Sequence, residues 1–220
     1  MGYHLNFRAV WNDFDLLLSG LGLGLLLAVI SIFIGCVIAL FVAFGTLSGH
    51  RPVRWLSTGY VTAIRNTPIL VLILFTYFAL PQLGVRLGKI ESFVLTLALY
   101  AGAYITEVYR GGLLAIPSGL REAGVAIGLT EFQTKRYIIV PVMLRNVLPS
   151  LSNNFISLFK DTSLAAAIAV PELTFYARQI NVNTFRVVES WMVASLMYVC
   201  ACYLIAYGLR YFERRLAVPR

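Results

Sequence analysis

The chain has 220 residues, of which 59% are hydrophobic and only 13% charged, whereas a soluble domain carries about 25% charge. That excludes an ordinary soluble fold and points to an all-α polytopic membrane domain. The formal net charge of +8 would suit nucleic acid, but the basic residues are scattered between apolar blocks, as in membrane-protein loops, so no nucleic-acid partner is expected.

Residues 1–15 are mixed polar and aromatic, and Tyr3, Phe7 and Trp11 suit a segment lying at a membrane interface. The first apolar run is too long for a signal peptide, so it is expected to be retained. From Leu16 to Gly49 there is no charge over 34 residues, against the ~20 needed to cross ~30 Å of hydrocarbon. The first span is placed at 16–45. Small residues at 20, 24, 28, 31, 35, 39 and 43 fall on one face, which predicts close approach by another helix. The second span, 56–80, contains Arg65-Asn66-Thr67-Pro68, where proline predicts a kink or break. The third span, 92–110, carries Gly102 and Ala98 as a small pair and Glu107 near its end. The fourth, 142–168, is the least regular, with Pro149 near its start and Lys160-Asp161-Thr162-Ser163 interrupting it. A mixed connection with room for a short helix leads to the fifth span, 190–209. Residues 213–220 form a basic tail. Cys36, Cys200 and Cys202 all lie in apolar runs without metal-type spacing, so they read as packing residues and no metal site is expected.

Residues 118–141, between the third and fourth spans, are charged yet keep an apolar pattern at Leu120, Ala123 and Ile127. Ser118 stands where an N-cap is expected and Gly128 where a helix can end, which predicts a short amphipathic helix over 118–128. Its apolar side must be buried against the membrane surface, the protein's own spans or a partner. Lys and Arg decide its side. Eleven basic residues (51, 54, 110, 121, 135, 136, 145, 210, 214, 215, 220) fall on the side of this loop and five (8, 86, 89, 178, 186) on the other. The positive-inside rule places the central loop and C-terminus in the cytoplasm and the N-terminus outside.

Glu122-Ala123-Gly124, Gly128, Ile138, Val140 and Pro141 resemble the cytoplasmic loop motif of membrane subunits of bacterial ATP-binding-cassette importers: E-A-A, three residues, G, nine residues, I, one residue, L-P. Gly124 replaces the second alanine and Val140 the leucine. Arg65-Asn66-Thr67-Pro68, Gly102-Ala103-Tyr104 with Glu107, Arg110-Gly111-Gly112, Leu148-Pro149 and Lys160-Asp161-Thr162-Ser163-Leu164 narrow the resemblance to the polar amino-acid branch, over residues 16–212. The resemblance implies a five-span subunit of the type I importer fold in the bacterial inner membrane. The subunit forms the pathway for a polar amino acid or derivative and pairs with a second copy or a homologous permease. It also implies that 118–128 is a coupling helix, with Arg121, Glu122, Ala123, Gly124 and Gly128 contacting a dimer of cytoplasmic ATP-binding subunits, and that a periplasmic binding protein delivers the solute. ATP and Mg would then sit on the ATPase, with no cofactor and no catalytic residue on this chain. An opine or other polar solute is the alternative cargo.

Two readings stand for each charged cluster at membrane depth. Lys160 and Asp161, with Asn154, Ser157, Thr162 and Ser163, line a solute pathway, or the two charges are satisfied inside the bundle, Lys160 by an acid such as Glu107. Arg65 and Glu107, with Asn66, Thr67 and Pro68, form a gate or interface pair, or snorkel to the interface. Glu122 contacts a partner, caps local backbone, or is a solvated acid favoured by the helix dipole. Gly124 costs the short helix about 1 kcal/mol relative to alanine, so Gly124→Ala is expected to be neutral or better for coupling.

Other function classes fit less well. The chain has no His-Glu-x-x-His or Gly-x-Ser-x-Gly, which argues against an intramembrane hydrolase. It has no Gly-x-x-x-x-Gly-Lys-Ser/Thr, since Gly88-Lys89 is followed by Ile90, so an ATP-driven cycle needs a separate engine. No inverted repeat is evident, which argues against a stand-alone channel or secondary carrier.

Overall fold

The computed structural model describes residues 4–216, without the side chain of Leu216; Tyr3, Arg220 and the end of the basic tail lie outside them. Among the described residues all regular structure is helical. Helix α1 (Arg8–Asn12) leads into the long α2 (Phe14–Thr46). Then come α3 (Arg51–Arg65) and α4 (Ile69–Leu74), the latter continued by a π turn over 75–79 and a 3-10 turn over 80–83. Helix α5 (Lys89–Leu114) precedes the short α6 (Ser118–Ala126) and α7 (Glu131–Thr134). A π turn over 135–139 joins α7 to α8 (Val140–Asp161), which passes into a 3-10 stretch over 162–168. Helices α9 (Leu173–Thr184) and α10 (Val187–Leu216) complete the chain.

The bundle is built around α5, the most buried of the long helices. All seven small residues of the α2 stripe are buried; the backbone at Glu172 and Leu173 approaches Gly20, and α5 approaches Gly35 at backbone distance. A Cβ on Gly35 would stand 2.7 Å from the Ala101 Cβ and 3.1 Å from the Ala98 carbonyl oxygen. Such proximity gains dispersion contacts where no hydrophobic force acts between lipid-bathed helices. Met143, Val147, Leu151 and Leu158 of α8 join Ala39 and Ala43 of α2, Phe93, Leu97 and Ile105 of α5 and Ile73 of α4 in the main apolar cluster. A second cluster joins Val10 and Leu17 to Leu173, Ala177 and Ile180 of α9 and to α10.

Pro68 divides the second predicted span. Helix α3 ends at Arg65 and α4 starts at Ile69, and the two halves are bent by 102°. Pro68 is extended (φ −58°, ψ 131°) and supplies the first carbonyl of α4, accepting from the Val71 and Leu72 amides. The Asn66 amide group and the Thr67 hydroxyl donate to the Thr62 and Ala63 carbonyls at the end of α3. This turn is therefore satisfied by its own side chains, as backbone at membrane depth must be.

By length and composition, three helices (α2, α5, α10) can cross a membrane, or four if the bent pair is one span. The remaining expected span, the fourth, corresponds to α8 with its 3-10 extension. Its Arg145, Asn146, Asn153, Asn154, Lys160 and Asp161 make it too polar to be recognised on composition alone.

The connection after α8 is fixed by Glu172. Its carboxylate is fully buried, caps α9 by accepting from the Thr174 and Phe175 amides at 2.8 Å each, and accepts from the Tyr198 hydroxyl at 2.7 Å. One acid thus ties the start of α9 to the middle of α10.

Candidate functional site

Helices α6 and α7 form a self-supporting module at one end of the bundle. Pro117, extended at ψ 138°, is the N-cap of α6, and its carbonyl accepts from the Leu120 amide. The predicted N-cap, Ser118, is instead the first helical residue and caps nothing, because the proline already holds the non-helical conformation that the cap position requires. Gly128 ends the helix with φ +82°. The Gly128 amide donates to the Val125 carbonyl at 2.9 Å and the Leu129 amide to the Gly124 carbonyl at 3.1 Å, the paired bonds of a Schellman turn. Thr130 then caps α7 reciprocally with Gln133. Glu131 bridges the two helices, 3.3 Å from Arg121 of α6 and 3.0 Å from Lys135. The Lys135 hydrogen bond, then the charges of Lys135 and Arg121, hold the Glu131 carboxyl below its ordinary range.

The chain itself covers little of the expected apolar side of α6. Of Leu120, Ala123 and Ile127, only Leu120 is half-buried, and the buried residue is Gly124. It rests on Thr134 and Ile138. The helix touches the chain through its backbone, a contact that needs no apolar side chain on α6, so the apolar side keeps the membrane surface or a partner as its expected cover. Val125, Ile127 and Phe132 stay 62%, 73% and 70% exposed, with Arg121, Glu122 and Ala123 also exposed. Glu122 makes no hydrogen bond within the described residues. The sequence motif therefore divides in two: Gly124, Gly128 and Ile138 build the module, and Glu122 and Ala123 are displayed by it.

Helix α8 exposes a polar face. Asn146, Ser150, Asn153, Ser157 and Lys160 recur at intervals of four and three residues, and all are exposed. The matching faces of α2 and α10 expose Val29, Phe33 and Phe41, and Leu196, Val199 and Leu204, as lipid contact requires. Of the predicted pathway residues, Ser157 and Lys160 lie on the polar face and Asp161 is half-buried beside it. Asn154, Thr162 and Ser163 instead bond back to the carbonyls of Ser150, Phe159 and Lys160. Among the described residues no acid lies within ion-pair distance of Lys160, and Glu107 is taken by two arginines. Its carboxylate is 2.7 Å from Arg110 and 3.9 Å from Arg65, whose guanidinium also stands 5.2 Å from the Tyr104 ring centre. These groups, with Thr58, Thr62 and Asn66, line a polar cavity of about 520 Å³.

Residues 31–218 match the family of binding-protein-dependent transport system inner membrane components. The chain belongs to that family. It is 36% identical over 215 residues to the glutamine transport system permease protein of Escherichia coli (strain K12), covering 97% of this chain and 98% of that one. It is 38% identical over 191 residues to the L-cystine transport system permease protein of Bacillus subtilis (strain 168), covering 86% and 82%. Among solved structures, an amino acid ABC transporter crystallised with histidines matches with a TM-score of 0.87 and 31% identity over 97% of this chain and 100% of that one.

For a transport permease of this family, two residues missed in the sequence matter. Asn153, not Asn154, lies with Asn146 on the open face of α8; the clue was the interval of seven residues to Lys160. Arg110 is the nearer partner of Glu107, an i, i+3 pair visible in the sequence.

Proposed function

We propose that this permease crosses the bacterial inner membrane five times, its N-terminus outside and the α6–α7 module in the cytoplasm, and imports a polar amino acid. ATP binding and hydrolysis occur on separate subunits. The observation that carries the reading is the module: a short helix locked by its own turn, cap and ion pairs, presenting Val125, Ile127 and Phe132 beside Arg121 and Glu122. A rigid body with an uncovered apolar patch rimmed by charge is suited to transmitting a push from a docked partner. The partner is a dimer of cytoplasmic ATP-binding subunits, and a periplasmic binding protein supplies the solute.

The pathway runs along the open face of α8, covered by a second permease copy or a homologue. A polar stripe facing lipid would be costly, so α8 faces water or another protein surface. Lys160 there meets a carboxylate and Asp161 an ammonium, which suits a zwitterion. The amino-acid relatives support the cargo class; an amino-acid derivative such as an opine has the same two groups. The Arg65–Glu107–Arg110 cluster, at the hinge between α3 and α4, acts as a gate on the module side.

The test reconstitutes the permease with its cognate ATPase and binding protein. The ATPase should co-purify with the wild type and be lost from Glu122→Lys. Asp161→Asn and Lys160→Ala should assemble normally and lose most uptake. Wild-type uptake in both would remove the pathway reading, and ATP-independent uptake by the chain alone in liposomes would overturn the importer.

A further inference from the structure

We infer that the cavity between the end of α2 and the α6–α7 module binds the headgroup of an anionic membrane phospholipid, its phosphodiester held by Arg121 and Lys135 and its acyl chain lying along α2. This rests on the proposed topology, in which the module lies at the inner membrane surface. The cavity has a volume of about 720 Å³. Phe44, Leu113 and Ile116 give it an apolar wall, and Ser48, Arg121 and Lys135 a polar one. A cavity with both kinds of wall suits an amphiphile better than a water-soluble ion. Its charge is unbalanced. Glu131 is the only acid among the described residues that line it. One oxygen of that carboxylate, Oε1, takes both cations, Arg121 at 3.3 Å and Lys135 at 3.0 Å. One positive charge is left over, and each cation keeps N–H donors that a single oxygen cannot accept. A phosphodiester carries one negative charge and has the oxygens to accept them. Lys135 is also held against α2, its Nζ 5.9 Å from the Phe44 ring centre, so the cation and the apolar wall stand side by side.

Depth and direction favour a lipid. The midpoint of the uncharged run 16–49 falls between Ile32 and Phe33. At ~1.5 Å per residue, Phe44 stands ~17 Å beyond it. That is past the ~15 Å half-thickness of the hydrocarbon and within the headgroup layer. On the surface of α2, the exposed Ile30, Phe33, Val37 and Phe41 recur every three or four residues. The same stripe continues to Phe44 and Ser48, which line the cavity. An acyl chain lying on that stripe brings its phosphate to Arg121 and Lys135. The bound lipid would tie α2 to the module that carries Glu122.

The experiment uses the full-length permease purified with its ATPase. Native mass spectrometry counts the lipid retained on titration with phosphatidylglycerol, or with zwitterionic phosphatidylcholine of the same chains. Wild type should hold one phosphatidylglycerol per permease about tenfold more tightly than phosphatidylcholine. Lys135→Gln and Phe44→Ala should each weaken phosphatidylglycerol binding roughly fivefold. Lys135→Arg should retain it. Arg214→Gln, which removes a charge from the same side without lining the cavity, should leave it unchanged. Phe44→Ala keeps the ion pairs of the module, so its loss of lipid is not a loosening of α7. Equal binding by Lys135→Gln and wild type would overturn the site. So would an equal loss in Arg214→Gln, which would mean diffuse attraction to the basic side. Displacement of the lipid by excess inorganic phosphate would overturn it too, in favour of a soluble phosphate ligand. An impermeant maleimide reaching Ser118→Cys of the otherwise cysteine-free chain from outside intact cells would refute the topology instead, and the lipid counts do not depend on that outcome.

Discussion

At the scale of single residues, the most consequential side chains are acids whose hydrogen bonds cannot be read from their neighbours in sequence. Glu172 lies in a connection that reads simply as mixed and polar, yet it is fully buried and receives three hydrogen bonds from two helices. Removing a helix N-cap costs about 1 kcal/mol, and leaving buried donors unpaired costs a further ~1–3 kcal/mol. Glu172→Ala should therefore destabilise the permease by about 2–4 kcal/mol. Tyr198→Phe removes one donor and leaves the cap intact, so it should cost about 1 kcal/mol. Unfolding in mild detergent should rank the midpoints wild type, Tyr198→Phe, Glu172→Ala. A midpoint for Glu172→Ala at or above that of Tyr198→Phe would mean that the cap contributes little.

At the scale of elements, legibility followed the range of the interaction. The α2 stripe was readable because one helix repeats the same small residue type every three or four positions, and all seven positions are buried. The break at Pro68 and the stop at Gly128 were readable because both are properties of the local backbone. The buried face of α6 was not, since the residue that decides it, Thr134, lies ten positions on and beyond two turns. Ser118 failed for a related reason: two adjacent residues can both begin a helix, and Pro117 holds the extended conformation already. Of the residues named for a pathway, Ser157 and Lys160 lie on the open face of α8 and Asn154 does not, because adjacent asparagines differ only in which side of the helix they occupy. The stop at Gly128 gives a direct test. Its φ of +82° is tolerated by glycine, less well by asparagine and least by alanine, for which the left-handed region costs ~1–2 kcal/mol. Binding of the ATPase should follow the order Gly, Asn, Ala at position 128, and equal binding by all three would mean the Schellman turn is not needed to present α6.

At the scale of the whole molecule, the contrast between faces indicates what surrounds each helix. Helices α2 and α10 expose Phe33, Phe41, Leu196 and Leu204, and each such residue is stable against acyl chains. Helix α8 exposes Asn153, Ser157 and Lys160, and a charged group at the bilayer centre costs at least ~2.5–3.5 kcal/mol unless water or a partner receives it. A single copy cannot shield that face, because the rest of the chain packs on the opposite side of α8. A paired assembly can, with the two α8 faces enclosing a watered path. Accessibility measures this without knowledge of the solute. With Cys36, Cys200 and Cys202 replaced by alanine, single cysteines at Asn153, Ser157, Phe33 and Leu204 should divide into two groups in the assembled complex. A water-soluble maleimide reacts with thiolate, and thiolate forms only where water reaches the sulfur. Asn153→Cys and Ser157→Cys should label readily, and saturating solute should slow them; Phe33→Cys and Leu204→Cys should stay unlabelled under the same conditions. Protection of the two α8 cysteines without solute would make that face a dry contact between subunits, and would move the path to the cavity beside Arg65 and Glu107.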